Sequence, residues 1–186
     1  MIYNIIDSNR IKEILIHGIK EVSSHDKLLL RNALNERSIA HRLAIYLEYE
    51  VKKDNLNVDC EYNKITNNKD STNKMVEVTK SSDSEKTVKY MHYIPDIIIH
   101  ERESQNRNLL VIEMKFIKKY NRRKNKSENK SEKKDYEKLI SYSESKSLKY
   151  CYASYIEFRK DEAYLRIYSR ELKKDIFKEI LSYENK

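Results

Sequence analysis

Apolar residues recur at intervals of three and four along residues 8–22, where Ile11, Ile14, Leu15 and Ile19 fall on one stripe behind Ser8, a suitable cap. This spacing predicts an amphipathic helix. A second stripe of Ile39, Ala40, Leu43, Tyr46 and Leu47 runs through NERSIAHRLAIYLEYEV, with Asn35 as its N-cap and Glu36 on the stripe one turn before Ala40. The pattern then changes. NVDCEYNKI alternates and reads as a strand, while residues 66–86 are an Asn/Ser/Thr/Lys stretch expected to form a long loop or the solvated tips of a hairpin. Two concentrated apolar runs, 93–100 and 109–116, are predicted strands joined by a turn around 102–108. A basic segment leads into a helix over 133–146. LKYCYASYIEF and AYLRIYS read as a hairpin turning at Lys160 and Asp161, and the spacing over 172–183 predicts a terminal helix.

This order of elements implies an α/β fold with a central mixed sheet covered by helices. The connection from the 109–116 strand through the basic segment and its helix is long enough for a parallel crossover. A chain of 186 residues fits a single domain, 1–186, carrying polar or basic loops at 64–88 and 118–134. No internal repeat is visible.

Hydrophobic residues make up 39% and charged residues 37% of the chain, and no window is apolar enough for a membrane span. Asp7, Arg10, Lys12 and Glu13 interrupt the N-terminal segment where a signal peptide needs an apolar run, so a cytoplasmic protein is expected. Cys60 and Cys151 fit neither a disulfide framework nor a zinc spacing and are read as core thiols. The net charge of +8 is concentrated. Residues 118–134 hold nine basic and two acidic side chains, among them Lys118, Lys119, Arg122, Arg123 and Lys124. Such a segment is the footprint expected for a polyanion, although a charge run also serves as a solvated loop.

Charge inside an apolar strand is costly unless something pairs with it. In YIPDIIIHERESQNRNLLVIEMKF, Asp96 opens the first run while Glu113 and Lys115 interrupt the second. Alternation along the second strand sends Glu113 and Lys115 to one face with Val111, and Leu110, Ile112, Met114 and Phe116 to the other. Antiparallel pairing of the two strands brings Asp96 to the far end of the second, so three charges converge at one sheet end. Two carboxylates on a rigid sheet suit a hard cation such as Mg2+ or Mn2+, which keeps several waters. A metal there activates water, and the adjacent lysine holds that water or neutralises a phosphoryl group.

The IPD of residues 94–96 followed by the IEMK of 112–115 resembles the bipartite signature of the PD-(D/E)xK nuclease superfamily, with Pro95, Asp96, Glu113 and Lys115 at the motif positions, each in an apolar strand. NERSIAHRLAIYL, VDCEYN, PDIIIH and NLLVIEMK are together similar to a group of uncharacterised bacterial members of that superfamily. The resemblance spans roughly residues 35–158 and leaves out the first helix and the tail. It implies a restriction-endonuclease-like core in which a sheet is flanked by helices, with Asp96 and Glu113 as Mg2+ ligands, Lys115 assisting the water and Glu36 completing the site. It further implies that Asp135 and Lys138, in KKDYEKL, are auxiliary residues, and that the substrate is DNA or, less often, RNA. Cutting both strands of a duplex needs two sites, which a homodimer would supply.

Each residue also has a plain structural alternative. Asp96 can cap nearby amides at a strand edge, Glu113 and Lys115 can form an ion pair, and Glu36 can simply favour a helix dipole. Glu61 is a rival acid. His41 is read as a surface or packing residue, His100 lies four residues from Asp96 and so outside the chemistry, and most of the 15 tyrosines are read as packing. Two further functions compete with the enzyme: a binding module that keeps the fold without turnover, and a nuclease subunit of a larger defence or repair assembly.

Overall fold

The first helix, α1 (Ser8–His25), buries Ile11, Ile14, Leu15, Ile19 and Val22, as its stripe requires. Its cap is Asp7, whose carboxylate accepts from the Arg10 amide at 2.8 Å, and not Ser8 one residue later. Both residue types cap helices, so the pattern alone leaves a one-residue ambiguity. A five-residue helix absent from the sequence reading, α2 (Lys27–Arg31), leads to α3 (Glu36–Val51), where Asn35 caps as expected by accepting from the Arg37 amide. The chain's single glycine, Gly18, sits where α1 meets α3, and a Cβ there would lie 3.0 Å from the δ-methyls of both Leu43 and Leu47. Close helix approach thus outweighs the helix-propensity cost of glycine, about 1 kcal/mol.

This computed structural model describes residues 6–32, 35–62, 94–102, 107–118, 132–146 and 148–183, and the backbone of 64–67, 70–73, 75–82, 85–92 and 125–131. The strands are β1 (Asn57–Cys60), β2 (Lys64–Asn67), β3 (Asp70–Asn73), β4 (Met75–Ser82), β5 (Glu85–His92), β6 (Ile97–His100), β7 (Asn108–Phe116), β8 (Tyr152–Phe158), β9 (Glu162–Ser169) and β10 (Lys174–Ser182). Between β7 and β8 runs α4 (Asn125–Glu144), which begins earlier and ends slightly earlier than its predicted span. One mixed sheet has the order β1–β6–β7–β8–β9–β10. Its single parallel pair is β7 with β8, joined by the α4 crossover, so the fold is α/β. The described residues of 66–86, a stretch read as a loop or as hairpin tips, belong to two antiparallel pairs, β2 with β3 and β4 with β5. No helix among the described residues is long and apolar enough to cross a membrane.

Each sheet face has its own helix partner. Ile97, Ile99, Leu110, Ile112, Met114, Ile156 and Leu165 pack with α1 and α3, while Ile98, Val111, Ala153, Tyr155 and Tyr168 pack with Tyr136, Leu139 and Tyr142 of α4. Each fully buried Leu, Ile or Phe contributes about 1.5–3 kcal/mol, and on β7 the alternation divides that gain between the two faces. Most described tyrosines that reach the core do so on the α4 side. Cys60 and Cys151 are exposed, against the expectation of core thiols. Cys60 ends β1 and Cys151 immediately precedes β8, and strand ends are where side chains leave the packed layer.

The expected terminal helix over 172–183 is instead the edge strand β10. Ile176, Phe177, Ile180 and Leu181 do carry helical spacing, but the open edge of β9 offers a row of unpaired backbone groups that this segment satisfies. A bulge between Asp175 and Phe177 breaks the strict alternation. It turns Phe177 into the α1–α3 core and leaves Asp175 beside Tyr136 and Arg166 on the α4 side.

Candidate functional site

The site is set by register. β6 runs antiparallel to β7 with Ile97 opposite Ile112 and Ile98 opposite Val111, so Asp96, one step before β6, falls beside Glu113. Buried Pro95 precedes it, and its fixed φ suits the entry to a strand. Parallel pairing on the other side sets Tyr155 next to Glu113 and Glu157 next to Lys115. Glu113 is buried, at 8% exposure, on the face covered by α4.

β6 begins opposite Ile112 and supplies no carbonyl to the amides of Met114 and Phe116 farther along β7. Two carboxylates take its place. Asp96 Oδ2 accepts from the Met114 amide at 2.6 Å, and Glu36 Oε2, from the first residue of α3, accepts from the Phe116 amide at 2.8 Å. Asp96 and Glu36 thus bond alternate amides of one strand end, and the negative charge of Glu36 is felt at Asp96. Burial pushes the Asp96 carboxyl up; the Met114 amide opposes this, the negative charge of Glu36 adds to it, Lys115 opposes it and Glu61 adds to it, leaving the group above its ordinary value.

Glu61, the rival acid, sits at the rim. Its amide donates to the Asp96 carbonyl at 3.0 Å, its φ is +48°, and its half-exposed carboxylate pairs with Arg37 at 2.8 Å. Lys115 is about one-third exposed, and its Nζ lies 3.8 Å from Asp135 Oδ2 of α4. Lys138, one helical turn on, places its Nζ 3.0 Å from Asp135 Oδ1. The structure thus brings together Glu36, Asp96, Glu113, Lys115, Asp135 and Lys138 at the carboxyl end of β7.

Other predicted residues fall elsewhere. Lys118 is exposed just after β7, while Lys119, Arg122, Arg123 and Lys124 lie outside the described residues. His41 is exposed. Buried His100 has its Nε2 2.8 Å from Asp59 Oδ2, an oxygen that Arg102 also contacts, so it belongs to a separate ion-pair group. Glu157, missed in the sequence reading, accepts from Arg159 Nε at 2.6 Å beside Lys115. Its signal was the one that marked Glu113: an acid inside the apolar run SYIEF.

Among the described residues no group of three or more His, Cys, Asp or Glu side chains is placed to hold a metal. Two oxygen donors, Asp96 and Glu113, fit a magnesium-like ion, which takes one or two protein carboxylates and fills its octahedron with water. The raised Asp96 carboxyl belongs to a half-buried acid near other negative charge, a place where a cation is favourable. An open cleft of about 430 Å³, lined by Glu144, Tyr152, Ser169 and Arg170 among others, lies at the opposite end of the β8–β9 pair from these acids. No protein-family model matches this chain, nor does any curated protein or solved structure.

Proposed function

We propose that this chain is a metal-dependent nuclease of the PD-(D/E)xK type with a restriction-endonuclease-like core, hydrolysing phosphodiester bonds in DNA, with RNA as the alternative substrate. The observation that carries this reading is the convergence of Asp96, Glu113 and Lys115 at one strand end, with Glu36 entering from α3. The mixed sheet with helices on both faces is the arrangement the resemblance implies.

Asp96 and Glu113 would hold Mg2+ or Mn2+, which when bound supplies an activated water and stabilises charge on the phosphoryl oxygens. Lys115 Nζ then has two tasks open to it: donating to the attacking water to orient it, or facing a nonbridging phosphate oxygen as negative charge builds. Glu36 holds the Phe116 amide and so fixes the strand end from which Lys115 projects. The basic segment that follows β7 starts beside this site, where a phosphate backbone would approach.

The test is incubation of the purified protein with plasmid, single-stranded DNA and RNA, with Mg2+, Mn2+ or a chelator. Divalent-dependent cleavage that Asp96→Asn and Glu113→Gln each abolish is the expected result. Cleavage that survives both substitutions overturns the assignment, and nucleic-acid binding without turnover under every condition favours the silent binding module.

A further inference from the structure

We propose that Asp135 is the positioning residue for Lys115, and that through it α4 brings a second ammonium, Lys138, to the same edge of the site. This inference rests on the nuclease reading above. A lysine projecting from a strand has a flexible four-carbon stem and is poorly placed for chemistry unless a partner limits its rotamers. Asp135 is that partner. Its carboxylate is buried at 7% residue exposure and faces Lys115 Nζ at 3.8 Å and Lys138 Nζ at 3.0 Å, one oxygen toward each. Asp135 and Lys138 stand three apart on one helix face, and Tyr136 and Leu139 between and beside them pack into the sheet, fixing the depth and rotation of that face.

The two distances divide the labour. The 3.0 Å contact keeps Asp135 paired within its own helix, so a buried carboxylate is not left uncompensated. The 3.8 Å contact is at the outer limit of an ion pair and tethers Lys115 without immobilising it. Lys115 can therefore swing to a water or phosphate oxygen while Lys138 keeps Asp135 satisfied. With asparagine in place of Asp135, Lys115 loses the charge that tethers it, and the chemical step slows while substrate affinity is little changed.

Asp135→Asn and Asp135→Glu, each made in the wild-type chain and in Lys115→Ala, test this. Asp135→Asn should lower kcat about 10–100-fold, the usual range for residues that orient site groups, with KM nearly unchanged. Asp135→Glu, which keeps the charge, should recover most of the loss, and Asp135→Asn should cost nothing further in Lys115→Ala. A second readout needs neither metal nor turnover: in metal-free protein, Asp135→Asn should raise the rate of Lys115 acetylation by acetic anhydride several-fold relative to exposed Lys149. Wild-type cleavage with Asp135→Asn unchanged in kcat and in Lys115 acetylation overturns the proposal alone, as does an equal loss in the Lys115→Ala background. A wild-type chain that cleaves nothing overturns the nuclease reading and this proposal with it.

Discussion

Glu36 can be separated into a structural and a chemical part by comparing Glu36→Ala with Glu36→Gln. In the native chain its Oε2 accepts from the Phe116 amide at 2.8 Å, a hydrogen bond with a charged acceptor. Such bonds contribute about 1.5–3 kcal/mol. Phe116 is only partly buried, so water replaces some of the lost bond in Glu36→Ala, and the lower half of that range, about 1.5–2 kcal/mol, applies. Losing a negative charge in the first turn of α3 removes roughly 0.3–1 kcal/mol more, in both variants. Relief of repulsion on Asp96 works the other way, again in both. The glutamine amide keeps a carbonyl acceptor for Phe116, so Glu36→Gln should be within about 0.5 kcal/mol of wild type. The difference between the variants then isolates the Phe116 bond, at about 1–2 kcal/mol. Urea unfolding at neutral pH without metal measures it as a shift of midpoint at constant slope. Equal stabilities for the two variants would refute the reasoning, because the bond that distinguishes them would then contribute nothing. The nuclease reading, in which the Glu36 charge completes the acid site beside its bond to Phe116, adds that Glu36→Gln, though as stable as wild type, loses activity.

Three further outcomes are expected. Asp96→Asn should raise stability at neutral pH while abolishing divalent binding by calorimetry: the folded-state carboxyl is raised, so its ionised form costs stability above that pKa, and the gain shrinks as pH falls through it; unchanged Mg2+ and Mn2+ affinity would remove Asp96 from the ligand set. Burial works to raise Asp59, but hydrogen bonds from His100 and Arg102 outweigh it and hold the carboxyl well below the usual range, so its contribution is present above an unfolded pKa of about 3.9 and is lost as pH falls below that; Asp59→Asn should cost on the order of 1–3 kcal/mol at pH 7 and converge with wild type in acid, as thermal unfolding across pH would register. Replacing Lys118, Lys119, Arg122, Arg123 and Lys124 together by serine should flatten the log affinity against log salt plot on duplex by several units, about one per lost phosphate contact, and an unchanged slope would leave that segment a solvated loop.

What could be read from sequence depended on how local the deciding force is. The stripes of α1 and α3 were legible because each helix buries one face against the same sheet. Asp96, Glu113 and Lys115 stood out because charge inside apolar strands needs a reason, and the antiparallel pairing that joins them follows from a short connection. β10 failed for the opposite cause. Its helical spacing is a local signal, while the open edge of β9 that recruits it is contributed by a different stretch of chain. Glu157 was overlooked because its significance depends on the parallel register of β8 against β7. That Glu36 bonds Phe116 was likewise invisible: a helix start and a strand end 80 residues apart have no common periodicity.

The connection between β1 and β6 has a consequence for how this protein can change. Cys60 and Ile97 are cross-strand neighbours, so the chain leaves the sheet and, after both hairpins, returns to it at one point. A detour whose ends meet is topologically an ornament: lengthening, shortening or exchanging it costs little closure entropy, since that cost grows only with the logarithm of length. Its roots are the residues before Asp96 and after Glu61, the border of the acid site itself. The sheet therefore keeps the carboxylates in place while the stretch beside them is free to diverge, and new surface can be offered to whatever approaches the acids without redesign of the scaffold that holds them.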